Sequence, residues 1–428
     1  MRRRSYYKMS TGKKFKVLVL SDHALSTSGV GTQTRHLING LLEKKMWSFR
    51  QFGAALKHED YRTIVVNDDF IIKPIDGFGN PELLRVTLAT EKPDLLFIFT
   101  DPRFFTWLFE IEDEIHQICP IVWWHVWDNY PFPRFNDKYY YATDKINCHS
   151  HLTYTMIKED KVHADRVGFI PHALPDNMFF KMSDEDIDNS KASLLGEERS
   201  DDFVAIWVNR NAKRKRPNDV LLSWKKFLEN LEKDTGSKDA ILIMHTEPTD
   251  SEGPNLFDAA AALGISENVF FSRERLDFEK MNVLYNISDI CINISFAEGF
   301  GLSTLEAMMT GTPIIATKTG GLTRQVVDHR DGSHNGVALE VDTKSLVGSQ
   351  LVPYIYEDYA NCENVALGIR KLYDASKNKE EYRVLCEKVR AYANSEFGYQ
   401  KTIDLWHKSM IDTIKEFKDK KRWNRVTI

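Results

Sequence analysis

Two glutamates, Glu298 and Glu306, stand eight residues apart around a glycine-bearing turn. The turn follows an apolar stretch, residues 290–294, and precedes a helix-like segment, residues 303–309. Backbone N–H groups and the dipole at such a helix N-terminus favour a bound phosphate. Carboxylates beside it can accept hydrogen bonds from hydroxyl groups. The pattern predicts a site for a ligand with both phosphate and sugar hydroxyls, such as a nucleotide sugar; the ordinary alternative is a solvated helix with two surface glutamates.

A second candidate site is basic. After the apolar stretch 203–208 the chain reads NRNAKRKRP, with five positive charges before Pro217, a residue type that often begins a helix. Cations at the carboxyl end of a strand can form an anion site. A solvated surface or a nucleic-acid patch would have the same composition. The two glutamates further along the same predicted domain favour the anion site.

The run EGFGLSTLEAMMTGTPIIATKTGG, residues 298–321, resembles the signature of family-4 retaining glycosyltransferases. These proteins share E-x7-E after a strand, then G-x-P and a Gly-Gly turn. The resemblance implies an α/β protein of the GT-B fold, with two Rossmann-like doubly wound domains facing a central cleft. It also implies transfer of a sugar from a nucleotide-sugar donor to an acceptor, with retention of anomeric configuration and without a metal ion.

The resemblance implies roles for the charged residues. Arg210 and Lys215, five residues apart, would bind the donor diphosphate and stabilise charge on the departing nucleoside diphosphate. Glu306 would accept hydrogen bonds from the ribose hydroxyls. Glu298 would contact the transferred sugar. Whether Glu298 is a nucleophile, or whether the reaction is a same-face attack in which the leaving phosphate accepts the proton, stays open.

The same resemblance implies roles for several other residues. Backbone N–H groups facing the sugar or phosphate would come from Phe300, Gly301 and Leu302. Gly29 and Gly31 in the loop SGVG would approach the donor phosphates, although a tight turn explains such glycines equally well. His125 and Asp128, at the end of an apolar strand, would act as catalytic residues near the donor sugar. Family members often have His or His-Asp there, whereas two residues separate the pair in this chain.

Alternating strand-like and helical stretches must position these residues, and they predict parallel sheets with ligands at the strand carboxyl ends. We expect an acceptor domain over residues 1–172 and a donor domain over residues 201–398, joined by a linker over residues 173–200. By resemblance, the C-terminal helix at 399–428 packs back on the first domain. The segment 328–366 has no clear pattern and is interpreted as an irregular elaboration.

Length and charge limit the class of protein. At 428 residues the chain suits two domains rather than one ordinary core. A net charge of −5 gives no general basic field for nucleic acid. No apolar run is long enough to span a membrane, and residues 1–14 lack the apolar core of a secretory signal. Their basic residues indicate either a plain tail or a weak tether to anionic lipid.

Metal and cofactor sites are not expected. The five cysteines are scattered and lack C-x-x-C spacing, which favours a reduced, cytoplasmic protein without structural zinc. The acidic run at residues 184–186 contains D-x-D, a metal motif of another glycosyltransferase fold. It does not follow a predicted strand, so we exclude it as a metal site. No cofactor is predicted, since the nucleotide sugar is a substrate.

The donor and acceptor are not specified by sequence. UDP and GDP sugars are the usual donors in the family, and the acceptor is open among a glycan, a lipid, a protein and a modified nucleobase. A nucleotide-sugar epimerase on the same fold, or a nucleic-acid-binding protein using residues 210–216, would explain some of the same residues. A nicotinamide dehydrogenase is disfavoured because neither glycine turn completes G-x-G-x-x-G.

Overall fold

The computed structural model describes residues 13–419. In chain order the strands are β1 (Phe15–Asp22), β2 (Trp47–Ala54), β3 (Ile64–Asn67), β4 (Phe70–Pro74), β5 (Leu95–Phe99), β6 (Ile121–His125), β7 (Lys145–Cys148), β8 (Val167–Phe169), β9 (Phe203–Val208), β10 (Ala240–His245), β11 (Val269–Ser272), β12 (Ile290–Asn293), β13 (Ile314–Thr317), β14 (Gly336–Leu339), β15 (Thr343–Val347) and β16 (Ile355–Tyr359). The α-helices are α1 (Gly29–Glu43), α2 (Pro81–Glu91), α3 (Thr106–Glu110), α4 (Glu112–Ile115), α5 (Asp137–Tyr141), α6 (His151–Asp160), α7 (Asp184–Leu195), α8 (Pro217–Thr235), α9 (Leu256–Leu263), α10 (Phe278–Asn286), α11 (Leu302–Thr310), α12 (Leu322–Val326), α13 (Cys362–Ser376), α14 (Lys379–Glu396) and α15 (Tyr399–Asp419).

The chain divides into two compact units. The first comprises the described residues up to His125, then Asn136–Asn147 and those from Ile403 onward. The second comprises Val126–Phe135 and Cys148–Thr402. The first unit therefore takes three stretches of the described chain and the second takes two. The predicted domain bounds stay a prediction.

The first unit is built on a largely parallel sheet. Its strands are ordered β3-β4-β2-β1-β5-β6-β7. Strand β1 pairs in parallel with β2 and β5, and only the β3–β4 pair is antiparallel among the pairings recorded for these strands. The central residues 17–20 are almost completely buried, which is typical of a parallel strand covered on both faces. Helix α15 adds Trp406, also buried, whose ring lies 5.0 Å from that of Trp124 and 5.4 Å from that of Phe97.

His116 joins two elements of the first unit through both ring nitrogens. Nδ1 lies 2.5 Å from a carboxylate oxygen of Glu112, and Nε2 lies 2.8 Å from one of Asp144. Burial lowers the pKa of His116, but the two carboxylates outweigh it and the net pKa is raised. The protonated ring therefore stabilises the folded state.

The raised pKa of His116 has a consequence for stability. Its contribution is fully present below the unfolded value of 6.5 and is lost as the pH rises through the higher folded pKa. We expect the free energy of unfolding to fall over that range, and the fall to be smaller in His116→Gln. Urea denaturation at a series of pH values measures both slopes. Equal slopes in the two proteins would contradict the assignment.

The second unit contains a six-stranded sheet in the order β11-β10-β9-β12-β13-β14, and all recorded pairs are parallel. Successive residues of β9 enter two different cores. Phe203, Ala205 and Trp207 join one apolar cluster, while Val204 and Ile206 join the other. Because successive side chains of a strand point to opposite faces, the sheet is buried on both sides. This is the doubly wound arrangement that the sequence predicted.

Two segments outside the predicted strands and helices contain regular structure. The expected linker at 173–200 includes α7, whose N-terminus is capped by the Ser183 hydroxyl accepting from the Asp186 N–H. The prediction missed α7 because only Ile187 of this helix is buried, so its sequence lacks an apolar stripe. The segment 328–366 supplies β14 to the main sheet and forms the antiparallel hairpin β15–β16. The interpretation of segment 328–366 as irregular was wrong, whereas the linker at 173–200 stays a prediction.

Across residues 13–419, none of the helices combines the length and apolar character needed to cross a membrane. Within residues 13–419, none of the five cysteines forms a disulfide bond. The basic residues proposed as a lipid tether fall largely within residues 1–12, outside the described residues.

Candidate functional site

The glycine turn lies between β12 and α11, as the sequence predicted. All four residues of β12 are buried, and the chain enters α11 through Gly301 with φ of +90°. A side chain there would be strained, and its Cβ would lie 2.5 Å from Leu322 Cδ2. Among the described residues, no side chain caps this helix start. The first N–H groups of α11 therefore remain available to an acceptor such as a phosphate.

Lys215 and Glu298 form a buried ion pair at this turn. The Lys215 ammonium contacts Glu298 Oε2, and the side chains are 9% and 12% exposed. Burial raises the pKa of Glu298, but Lys215 and Arg214 outweigh burial, so the net pKa is lowered. Burial lowers the pKa of Lys215, although Glu298 opposes that shift. The pair places a carboxylate and a buried cation beside the start of α11.

The sheet topology explains why residues 83 positions apart meet. Strands β9 and β12 are parallel neighbours, so their carboxyl ends lie at the same edge. The basic segment follows β9 and the glycine turn follows β12. A backbone hydrogen bond of 2.9 Å from the Phe296 N–H to the Arg214 carbonyl joins the two segments.

Glu306 lies on the second turn of α11 and faces α10. Its Oε2 accepts a hydrogen bond of 2.7 Å from the Tyr285 hydroxyl. Burial raises the pKa of Glu306 to about 7, while the hydrogen bond from Tyr285 opposes the rise. The carboxyl group therefore changes between its neutral and its ionised form near pH 7.

Arg210 has different partners from those of Lys215. Its guanidinium lies 2.8 Å from a carboxylate oxygen of Asp250 and 3.1 Å from one of Glu252. The side chain is 59% exposed. In the structure Lys215 therefore contacts Glu298, whereas Arg210 contacts two carboxylates of the loop after β10.

Asp128 belongs to the second unit and lies at the same turn. A Cβ on Gly299 would be 2.7 Å from Asp128 Oδ1, and one on Gly320 would be 2.4 Å from the Asp128 carbonyl oxygen. Its charge also acts on Lys215, whose pKa it raises against the larger effect of burial. Asp128, Glu298 and Lys215 therefore form one charged cluster.

Three predicted residues, His125, Gly29 and Gly31, lie in the first unit. His125 ends β6, is buried, and has Nε2 2.6 Å from the Tyr140 hydroxyl. Gly29 and Gly31 form the first turn of α1 rather than the loop before it, and Ser28 caps that helix. A Cβ on Gly31 would lie 2.5 Å from the His23 carbonyl oxygen, so close packing explains this glycine locally. The roles of His125, Gly29 and Gly31 stay predictions.

His149 was missed by the sequence analysis. Its buried ring lies against the glycine turn, since a Cβ on Gly299 would be 3.1 Å from His149 Cε1. Its ring centroid is 6.3 Å from that of Phe300. Burial lowers the pKa of His149 to about 4, so the ring is neutral at pH 7. The only sequence signal was a histidine just after β7, where parallel strands often present functional groups.

Comparison with known proteins supports the interpretation of the second unit. Residues 195–343 match the family model for glycosyl transferases group 1. The matched segment contains the basic cluster, the glycine turn and both glutamates. The resemblance read from residues 298–321 is confirmed.

The curated relatives are glycosyltransferases matched over part of their length. D-inositol 3-phosphate glycosyltransferase of Salinispora tropica is 32% identical over 152 residues, which are 34% of this chain and 31% of that protein. The enzyme of the same name from Mycobacteroides abscessus is 30% identical over 184 residues, 41% of this chain and 40% of that protein. The chain thus spans between about a third and two fifths of the length of these relatives.

Solved structures match almost the whole chain. Sucrose-phosphate synthase from Thermosynechococcus elongatus has a TM-score of 0.71 at 14% identity, covering 94% of this chain and all of that one. Anabaena HepE in complex with UDP-glucose has a TM-score of 0.66 at 15% identity, covering 94% and 99%. At such low identity the likeness concerns the fold. It confirms the prediction of a GT-B protein with two Rossmann-like domains.

Proposed function

We propose that this protein is a glycosyltransferase that moves a sugar from a nucleotide-sugar donor to an acceptor, with retention of anomeric configuration and without a metal ion. The observation that carries the proposal is the buried Lys215–Glu298 pair in front of the uncapped start of α11. The pair lies within the segment that matches the group 1 glycosyltransferase model.

The cations and the helix terminus suit a diphosphate. The short 3₁₀ turn Lys213–Lys215 places three positive side chains after β9. Helix α11 follows β12, the parallel neighbour of β9. The N–H groups at the start of this helix add partial positive charge to the site. Together they would stabilise the negative charge that develops on a departing nucleoside diphosphate, which is the task a divalent cation would otherwise perform.

The carboxylates suit the sugars of the donor. Glu298 is ionised at neutral pH because its pKa is lowered, so it can accept hydrogen bonds from hydroxyls of the transferred sugar. Glu306 would accept from the ribose hydroxyls. The HepE structure contains UDP-glucose, which makes UDP-sugars the first donors to test; GDP-sugars follow.

The other two functions fit the structure less well. A nucleic-acid surface needs cations available to phosphates, yet four of the five cations at 210–216 are paired with carboxylates. Arg210 pairs with Asp250, both Arg214 and Lys215 pair with Glu298, and Arg216 pairs with Asp219. The relatives are transferases, which disfavours an epimerase. The acceptor stays open among the four classes considered above.

A donor-release assay tests the proposed function. The protein would be incubated with UDP-, GDP- and ADP-sugars in the presence of EDTA, and the free nucleoside diphosphate would be measured. We expect slow release from one donor, lost in Glu298→Gln and kept in the surface control Glu363→Gln. NMR of the glycosidic product of an acceptor screen then reports the anomeric configuration. If no nucleoside diphosphate bound in calorimetry, the proposal would be wrong.

Glu306 makes donor binding depend on pH. A carboxylate is a stronger acceptor for ribose hydroxyls than a neutral acid, so affinity for UDP should rise as the pH increases through about 7. We expect Glu306→Gln to bind UDP roughly tenfold more weakly at pH 8, because it lacks a charged acceptor. Calorimetric titrations of both proteins with UDP across the pH range measure the two affinities. Protonation of UDP itself affects both proteins equally, so the difference between their profiles reports the Glu306 carboxylate. A wild-type profile parallel to that of Glu306→Gln would contradict this role.

A further inference from the structure

Strand β16 joins two separate segments of the second unit. The Asp358 N–H donates a hydrogen bond of 2.8 Å to the Phe296 carbonyl, just before the glycine turn. The Tyr356 N–H donates another of 2.8 Å to the Tyr130 carbonyl, in the segment 126–135. In an antiparallel pair such as β15–β16, alternate residues can direct their backbone groups away from the partner strand. Strand β16 therefore lies between the glycine turn and the segment 126–135.

Asn129 attaches the segment 126–135 to the same strand with its side chain. The residue is buried, and its Nδ2 donates hydrogen bonds of 3.0 Å to the Tyr356 carbonyl and 2.7 Å to Asp358 Oδ2. Asp358 is buried too, and its other carboxylate oxygen lies 3.7 Å from the Lys344 ammonium. A buried carboxylate depends on such partners. The Asn129 amide is therefore a close partner of the Asp358 carboxylate.

Tyr354, next to the start of β16, holds the far end of the same segment. Its hydroxyl accepts a hydrogen bond of 3.1 Å from the Arg134 N–H. Its ring centroid lies 5.2 Å from that of Phe135. The segment 126–135 is thus attached to the hairpin near its middle and at its end.

Asp128 directly precedes Asn129 and lies against the glycine turn. A Cβ on Gly299 would be 2.7 Å from Asp128 Oδ1, so there is little space between the two residues. A shift of Asn129 would move its chain neighbour as well. The contacts of β16 therefore determine where the Asp128 carboxylate lies relative to Glu298.

We propose that Asn129 and Asp358 are positioning residues for sugar transfer, and that the hairpin β15–β16 holds Asp128 at the reacting end of the donor. The inference rests on the proposed function and on the predicted role of Asp128. The resemblance implied no role for this hairpin. Asn129 and Asp358 act through the segment 126–135 rather than by contact with the donor.

Release of nucleoside diphosphate, measured together with nucleotide affinity, tests the inference. At saturating donor we expect Asn129→Ala to release at least about tenfold more slowly, because small displacements of reacting groups reduce rates strongly. Its calorimetric affinity for whichever of UDP, GDP and ADP wild type binds most tightly should be kept, since an interaction needed only for the reaction lowers kcat alone. Asp128→Asn should show the same pattern. Asn268→Ala is the matched control, because its amide also donates two hydrogen bonds, each of 2.9 Å, to the Lys238 and Ala240 carbonyls.

Exchanging the two side chains is the second test. Asn129→Asp alone places two carboxylates together in a buried site, so release should fall below that of Asn129→Ala. The double variant Asn129→Asp/Asp358→Asn again pairs one amide with one carboxylate, and we expect it to recover part of the release rate.

Hydrogen exchange measured by mass spectrometry locates the change in each variant. In Asn129→Ala it should become faster within residues 126–135 and 354–359 and stay as in wild type over α8. Thermal denaturation checks that the fold is kept.

The outcomes separate the inference from the proposed function. The inference is wrong if Asn129→Ala releases as fast as wild type or no more slowly than Asn268→Ala. Wild-type release by Asp128→Asn, or no recovery in the double variant, would also overturn it. If wild type binds a nucleotide but exchange within residues 126–135 is the same in Asn129→Ala, the inference alone fails. If wild type binds none of the three nucleotides, the proposed function fails and the inference with it.

Discussion

Lys215→Met should be less stable than wild type by about 3–5 kcal/mol, the cost of leaving a buried carboxylate without its partner. Both side chains of the pair are nearly buried, so water cannot replace the ammonium at Glu298. Arg214 compensates only in part, because its guanidinium is 3.8 Å away and half-exposed. Urea denaturation at pH 7 measures the loss. Donor release should be lost in the same variant.

The pH dependence identifies the cause of this loss. Wild-type Glu298 has a lowered pKa, so its stabilising contribution is present above the unfolded value of 4.5 and is lost as the pH falls through the folded pKa. In Lys215→Met the ionised Glu298 carboxylate destabilises the folded state instead. The difference in stability from wild type should therefore shrink as acid protonates Glu298. Lys226→Met is the control, since Lys226 pairs with Glu363 at the surface and its loss should cost much less stability than the loss of Lys215. Similar losses in the two variants would contradict the assignment of a buried pair.

Gly320→Ala should be the second most damaging change. A Cβ at this position would lie 2.0 Å from the Glu298 carbonyl oxygen and 2.4 Å from that of Asp128. Both contacts are with backbone, so no side-chain rotation can relieve them. The turn would have to move, which we expect to cost about 2–4 kcal/mol. Displacing Glu298 should also lower donor release at least about tenfold, since small displacements of positioning residues reduce rates strongly.

Gly264→Ala is the matched control for this change. Gly264 also has a positive φ, +70°, but a Cβ there would meet nothing within 4 Å. Its substitution should cost only the strain of placing alanine in the left-handed backbone conformation, about 1 kcal/mol of stability. Chemical denaturation and the release assay measure both effects. Equal stability losses in the two alanine variants would show that backbone strain alone explains Gly320.

Local sequence patterns were sufficient to predict the strands and the helix around the site. The strand–turn–helix order at residues 290–310 was predicted because an apolar run, glycines and a helix-forming run follow one another directly. The same held for β9 and the basic segment after it. Strand β9 is buried on both faces, so it reads as a continuous apolar run. Strand β14 was missed because it offers only three apolar residues after a glycine, within a segment rich in glycine.

What the sequence by itself determined is the pair of loops and their chemistry: a basic segment after one strand and a glycine turn with two glutamates after another. Only the tertiary structure decided which charges meet. Lys215 contacts Glu298 across 83 positions, whereas Arg210 contacts Asp250 across 40. Strand order in the sheet sets these pairings, and no local pattern encodes it. For the same reason His149, which is adjacent to Gly299 only through the fold, could not be found from its own sequence neighbourhood.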